Sequence, residues 1–279
     1  MSSDQGWFAG LDPGDADAAA ERVRSGATET PDDWPARAVE SGFADDAESY
    51  YDALRDATRA AAREEVSASE GADDKQLVHA VRSMDDCERT ANELAERVAE
   101  WAGSLYDDAG TGVSYARDLA DKDPEEPTER RLVSLAERVD DLAEERDELR
   151  GFVERRAAEV APNLSALAGP VLAARLIALA GDLKSLARKP SGTVQVLGAE
   201  DALFAHLRGR GPSPKHGVIF THEYVRGTDP DERGSAARAL AGKLTIAARV
   251  DHYSGERKPE LDAELDGRIE RIRSRGEDA

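Results

Sequence analysis

Asp73 to Tyr106 reads DDKQLVHAVRSMDDCERTANELAERVAEWAGSLY, and its apolar residues fall on a heptad. One set is Leu77, Met84, Ala91, Val98 and Leu105; the other is Ala80, Cys87, Leu94 and Trp101. Spacings of three and four, held over four heptads, are the seam of a helix packed along its length against another helix. Cys87 lies in that seam and reads as a small buried hydrophobe. The pattern returns from Thr128 to Val160, where Leu132, Val139, Val153 and Val160 form one set and Leu135, Leu142 and Leu149 the other. Thr128 is the expected cap of this second helix. Arg146 and Arg156 interrupt the sets and mark less buried positions. Residues 107–127, with Gly110, Gly112, Pro124 and Pro127, read as a polar linker. Residues 73–160 are therefore expected to form a long antiparallel coiled-coil hairpin. A lone hairpin buries little apolar surface. Self-association through Leu77, Met84, Leu94, Trp101, Leu132, Leu135, Val139, Leu142 and Leu149 is expected, with a bundle inside one chain as the alternative.

Upstream, residues 1–66 read as a small unit with a modest core of Trp7, Phe8, Leu11, Trp34, Phe43, Tyr50, Tyr51 and Leu54. Asp15 to Arg24 and Asp45 to Val66 are helical by pattern, and turns are signalled at Asp12-Pro13-Gly14 and Thr30-Pro31-Asp32-Asp33. Short strands flanking the first helix would make this unit α/β. The expected fold class is thus mainly α, with a small N-terminal α/β domain, the hairpin and an all-helical C-terminal domain.

Downstream, Ala161-Pro162-Asn163 stops the hairpin, since proline disfavours a helical residue before it. Residues 161–260 form a further domain and 261–279 a C-terminal helix and tail with Leu265, Ile269 and Ile272 inward. Leu164 to Ala180 is the most apolar run, but Gly169, Pro170 and Arg175 break it, so it reads as buried helix and not as a membrane span. Thr193 to Leu197 is either a short strand, an extended segment or a buried helical turn. Ala199 to Leu207 reads as a helix with Leu203, Phe204 and Leu207 inward. Pro214-Lys215-His216-Gly217 is a rigid turn presenting a cation and an imidazole together, followed by the apolar anchor Val218-Ile219-Phe220.

The net charge of the 279 residues is -21, yet it is unevenly spread. Residues 1–160 carry 19 basic and 42 acidic side chains, whereas residues 161–260 carry 14 and 10. A positive segment inside so acidic a chain points to a polyanion partner. Only seven of the 37 basic residues are lysine, and this composition fits a salt-rich cytoplasm. MSSDQGWF has no apolar run after it, so a cytoplasmic location is expected. Glycine-rich phosphate loops, HExxH and CxxC are all missing from the sequence. One cysteine and the scattered His206, His216, His222 and His252 do not have metal-ligand spacing. Neither catalysis nor a cofactor nor a metal is expected. The remaining chemistry is RNA binding by shape. Arg208, Arg210, Lys215, Arg233, Arg238 and Lys243 are candidates for phosphate contact, His216 for stacking on a splayed base, and Gln195 and Glu200 for reading a base edge.

Four segments carry a resemblance: Ala161–Leu167 (APNLSAL), Val194–Glu200 (VQVLGAE), Pro214–Phe220 (PKHGVIF), and Arg238–Leu244 (RALAGKL) with Ala247–Asp251 (AARVD). In order and spacing they resemble the Nop domain of the archaeal Nop56/Nop58-related proteins, and the low lysine content is similar to that of haloarchaeal chains. The resemblance covers about residues 73–260. It implies a non-catalytic scaffold of a box C/D small ribonucleoprotein acting in rRNA and tRNA processing. By that resemblance the Nop domain binds a kink-turn guide RNA already held by a small ribosomal-type protein, and the arm pairs two copies. The N-terminal unit is similar to the platform for fibrillarin, the methyltransferase that carries S-adenosylmethionine and modifies RNA at the 2'-oxygen. Gln195, Lys215, His216 and Arg233 fall in the family's RNA-facing segments. Asp201 and Ser235 depart from its pattern, each standing where a lysine is expected. The alternatives are a coiled-coil structural protein with no RNA role, and an assembly protein of another kink-turn particle without a methylation role.

Overall fold

The computed structural model describes residues 6–12, 14–26 and 32–277. Among them there is no strand, and every regular element is helical. The chain divides into two compact units, Met1–Ala72 and Asp73–Ala279.

The first unit holds α1 (Ala16–Ser25), α2 (Trp34–Glu40) and α3 (Ala47–Glu70). Asp15 caps α1 by accepting from the Ala18 N–H at 3.0 Å, and Asp33 caps α2 from Ala36 at 3.3 Å. Asp46 and Ser49 bond reciprocally at the start of α3, at 2.8 and 3.0 Å. Trp7, Phe8, Phe43 and Tyr50 form a small aromatic core, with Phe8 stacked on Phe43 at 5.4 Å and the Trp7 indole donating to the Tyr50 hydroxyl at 3.2 Å. The expected N-terminal α/β domain is therefore corrected to a helical unit. The cause is composition: residues 1–72 hold three valines, no isoleucine and an abundance of alanine. That is helix-forming sequence with too few β-branched residues for a strand. Pro13, Thr30 and Pro31, from the two expected turns, lie outside the described residues.

In the second unit α4 (Asp73–Ala102) and α6 (Pro127–Val160) form the hairpin. They run antiparallel, since Asp73 at the start of α4 pairs with Arg156 near the end of α6, at 2.6 Å. Leu77 and Met84 pack with Val153 and Ala157 at one end, while Val98 and Ala102 share a core with Leu132 and Val139 at the other. Alanines, Ala91, Ala95, Ala136 and Ala143 among them, fill much of the seam. The expected linker is not featureless. It contains α5 (Gly112–Ala120), whose buried Ala116 and Leu119 close the hairpin tip. Helix α6 starts at Pro127, one residue before the expected Thr128 cap. The Glu129 carboxylate closes this start by accepting from the Glu126 and Glu125 N–H groups at 3.1 and 3.0 Å, contacts that hold its carboxyl below the ordinary range. Cys87 is half-buried, and burial, with Glu145 and Asp86 nearby, pushes its thiol up.

Nine further short elements build on the hairpin's root. They are α7 (Pro162–Ala168), α8 (Pro170–Ala180), α9 (Leu183–Arg188), α10 (Ser191–Val196), α11 (Glu200–Leu207), a 3-10 turn (Val218–Thr221), α12 (Glu223–Arg226), α13 (Arg233–Tyr253) and α14 (Glu260–Glu277). The ambiguous stretch Thr193 to Leu197 is thus a helical turn. The centre is α13, which buries Ala236, Leu240, Leu244 and Ala248 among leucines of α7, α8 and α9. Leu77, Val78 and Val81 of α4 belong to this same core, so the arm and the C-terminal helices are continuous in packing. Gly169, at φ +77°, bends the chain by 116° between α7 and α8. Among the described residues no single helix is long and apolar enough to cross a membrane.

One polar network lies inside this core. Helix α7 has no side-chain cap of its own. The Asp251 carboxylate, at the far end of α13, accepts from the Asn163 N–H at 3.0 Å and the Leu164 N–H at 2.8 Å. It also accepts from the Asn163 amide at 2.7 Å, and the Asn163 oxygen accepts from the Lys258 N–H at 2.6 Å. Both residues are buried. An anion at a helix N-terminus meets donors the helix cannot satisfy itself. His222 ties another pair of elements: its Nε2 lies 3.0 Å from the Leu167 carbonyl, and its Nδ1 accepts from the Tyr224 N–H at 3.1 Å. This fixes a neutral imidazole with the proton on Nε2. Burial pushes His222 below its ordinary value of 6.5.

Asp251→Ala should cost about 3 kcal/mol, because it strands buried donors without a partner. Urea unfolding should show a lower midpoint at unchanged slope, with Asp251→Asn intermediate. His222 should make stability fall as the pH drops below about 6.5, since the unfolded chain then binds a proton that the folded one excludes. The wild-type loss between pH 7 and 5 should exceed that of His222→Asn in the same denaturation assay.

Candidate RNA-binding surface

The turn Pro214–Gly217 is fastened to the end of α10 by the backbone. Gly217 N–H donates to the Gln195 carbonyl at 2.9 Å and Val218 N–H to the Leu197 carbonyl at 2.8 Å. The contact is so close that a Cβ on Gly217 would sit 2.0 Å from the Leu197 oxygen, so only glycine fits. The Gln195 side chain closes the other side, donating to the Lys215 carbonyl at 2.7 Å. Ile219 is buried beneath, and anchors the turn.

Phe220 organises what the turn displays. The His216 ring stacks on it at 4.5 Å and 20°, and the Arg233 guanidinium lies 5.6 Å from its centre. Arg233 also donates to the Thr228 carbonyl at 3.0 Å and the Arg226 carbonyl at 3.3 Å, which fixes its direction. Burial, then Arg233, then Lys215 push His216 below its ordinary value, so at neutral pH the ring is uncharged. Lys215 is exposed beside Gly234 at the start of α13. The arrangement offers a flat ring and an exposed ammonium on one turn, with a fixed guanidinium from the start of α13 beside them. These groups suit a base and its adjoining phosphate.

Gln195, Lys215, His216 and Arg233 are therefore brought together. Gln195 spends its amide donor on the turn and so positions Lys215. Glu200 accepts from the Gly198 N–H at 2.8 Å and closes the start of α11. Arg208 and Arg210 are exposed in the turn after α11, which His206 steadies through a 3.0 Å contact to the Gly211 carbonyl. Arg238 is exposed on α13. Lys243 is mostly buried and paired with Glu264 of α14, away from this patch. Helix α11 faces outward, against expectation: Phe204 is 54% and Leu207 71% exposed, and none of its residues is buried. Phe220 was missed as a platform because its run reads as plain core. The available signal is its spacing of four from His216. Among the described residues no group of three or more His, Cys, Asp or Glu could hold a metal.

Of the expected self-association residues, Leu77 and Met84 are buried in the core shared with the C-terminal helices, and Leu132 and Val139 inside the hairpin. Leu94, Trp101, Leu135, Leu142 and Leu149 are only partly buried along it.

A family profile described as "Nop: snoRNA binding domain, fibrillarin" matches residues 71–274. An uncharacterised NOP5 family protein of Methanocaldococcus jannaschii is 35% identical over 237 residues, covering 72% of this chain and 57% of that protein. Nucleolar protein 58 of Schizosaccharomyces pombe is 34% identical over 233 residues, covering 70% of this chain and 46% of that one. The chain thus spans about half the length of the curated relatives it matches. Among solved structures, a chain of a fibrillarin/Nop5p complex superimposes with a TM-score of 0.54 at 25% identity, over 91% of this chain and 92% of the other. With its profile match reaching from α4 into α14, the chain belongs to the Nop family.

Proposed function

We propose that the chain is the scaffold of a box C/D ribonucleoprotein, binding a kink-turn guide RNA together with a small ribosomal-type protein and positioning fibrillarin for RNA 2'-O-methylation. The observation that carries this reading is the fastened Lys215–His216 turn with its Phe220 and Arg233 support. A shape-reading RNA surface needs rigid, pre-aimed groups, and here the backbone and an aromatic ring supply that rigidity. The positive balance of residues 161–260 gives the surface its attraction to a polyanion. Residues 161–260 are the RNA-facing domain, residues 73–160 the arm through which two copies pair, and residues 1–66 the part that meets fibrillarin. The particle works in the cytoplasm, in haloarchaeal salt. Arg208, Arg210 and Arg238 extend the phosphate contacts of the turn.

A second reading is favoured by the helical character of the first unit, which holds no strand among its described residues. It is an assembly protein of another kink-turn particle, without a methylation role. Reconstitution with guide RNA, the small protein and fibrillarin, omitting each in turn, separates the two. Methylation that needs this chain supports the first reading; RNA capture without fibrillarin recruitment supports the second.

Lys215→Ala combined with His216→Ala should weaken binding to the RNA–small-protein complex by roughly tenfold or more, the worth of one stacked base and one phosphate contact. Dimerisation should be unaffected. Gel-shift titration with and without the small protein is the check, and unchanged RNA affinity would overturn the assignment of this face.

A further inference from the structure

The arm carries its charge in an unusual way. Residues 73–160 hold 13 basic and 25 acidic side chains. Its arginines are largely occupied by carboxylates of the same chain. Arg89 pairs with Asp86 at 2.8 Å, Arg97 with Glu100 at 2.8 Å, Arg117 with Asp140 at 2.7 Å and Arg138 with Asp141 at 2.7 Å. Arg146 pairs with Asp147 at 2.9 Å and Arg150 with Glu154 at 3.1 Å. The surplus is mostly negative: Arg130, Arg131 and Arg155 form no ion pair among the described residues, but they are outnumbered by carboxylates such as Glu96, Glu144, Glu145 and Glu148, which are exposed and have no cationic partner there. The apolar groups left at the arm's surface are the partly buried Leu94, Trp101, Leu135 and Leu142, with Phe152 beyond them.

A second copy approaching this arm brings the same excess of carboxylates. With 25 acidic against 13 basic side chains in each arm, the unpaired arginines are too few to complement the carboxylates across the contact, so attraction must come from the apolar groups. The rims of the two arms repel. In the C-terminal domain the balance is reversed: Arg208, Arg210, Lys215 and Arg238 show no carboxylate within ion-pair reach among the described residues.

We infer that pairing of two arms is coupled to cation screening, so that rising salt strengthens contact between copies while it weakens capture of RNA by the same chain. The inference rests on the reading that the arm is where two copies meet. The two halves of the molecule then answer ionic strength with opposite sign. Screening shortens the reach of like-charge repulsion from about 10 Å at 0.1 M to about 3 Å at 1 M. RNA binding loses counterion release over the same range. Both events proceed well only within a band of salt concentration, and lowering the salt uncouples the copies while it tightens the hold on RNA.

Sedimentation equilibrium of the full chain in 0.1 to 3 M KCl tests this, with far-UV circular dichroism at each step defining the range where the chain is folded. The dimer dissociation constant should fall by about tenfold or more between 0.1 and 1 M and then level off, as screening does. A Glu96→Gln, Glu144→Gln, Glu145→Gln, Glu148→Gln variant, altered only at exposed helical positions, should dimerise at 0.1 M with little further response to salt. RNA affinity, measured by anisotropy with a kink-turn RNA, should fall across the same series. A wild-type dimer that is indifferent to salt or weakened by it overturns the inference and leaves self-association standing. Equal salt responses of wild type and variant also overturn it, since general salting-out of apolar surface would then be the cause. A monomer at every concentration overturns the self-association reading itself.

Discussion

Asp251 holds the C-terminal helices in their arrangement. Its carboxylate reaches from the end of α13 to the N–H groups that open α7, 88 residues earlier in the chain, and Asn163 ties the same point to the segment before α14. A buried carboxylate that lost those donors would be left uncompensated in an apolar surrounding, so the position of α7 relative to α13 is specified far more sharply than by leucine packing alone. Fixing α7 fixes the bend at Gly169, and with it α8, against which the 3-10 turn of Ile219 packs. The RNA-facing turn inherits its place from this chain of contacts.

The side chains of that turn divide into those that hold and those that are free. Gln195, Glu200 and the Gly217 backbone are consumed by the protein, and Arg233 is partly so. Lys215 and the outer face of His216 are not. Ordering these groups beforehand lowers the entropy lost on binding, which matters for a surface with few cations to spare.

The hairpin was legible in the sequence because a long amphipathic helix repeats its signal many times, and Leu77, Met84, Val98, Leu132 and Val139 are all buried as their spacing demands. Ala80 and Ala91 fall on the same heptad and are buried too, whereas Ala95, Ala136 and Ala143 were not legible as core, since alanine is equally at home on a surface helix. Helix α5 was hidden because a nine-residue element offers only two turns of periodicity between prolines and glycines. In the first unit, the short strands expected to flank the first helix have no β-branched run behind them, and the aromatics near the turns serve a helical core instead. Phe204 and Leu207 show the opposite failure: apolar identity predicts burial, and whether anything covers a short helix is decided by elements far away in sequence. The candidate site was legible as a rigid turn of charge and imidazole. That Lys243 is consumed by Glu264, and that Phe220 is the platform, depended on contacts between distant elements.

The shared core at the root of the hairpin has a mechanical side. Leu77 and Val81 of α4 and Val153 and Ala157 of α6 are packed among the C-terminal helices, so no joint separates the arm from them. With 34 residues, α6 is a strut about 50 Å long clamped at one end. Its length acts as a ruler, setting how far the hairpin tip stands from the Lys215 turn. A single residue inserted between Leu142 and Leu149 would lengthen the strut by about 1.5 Å but rotate everything beyond it by about 100°. Register, more than reach, is therefore the property such an arm must preserve.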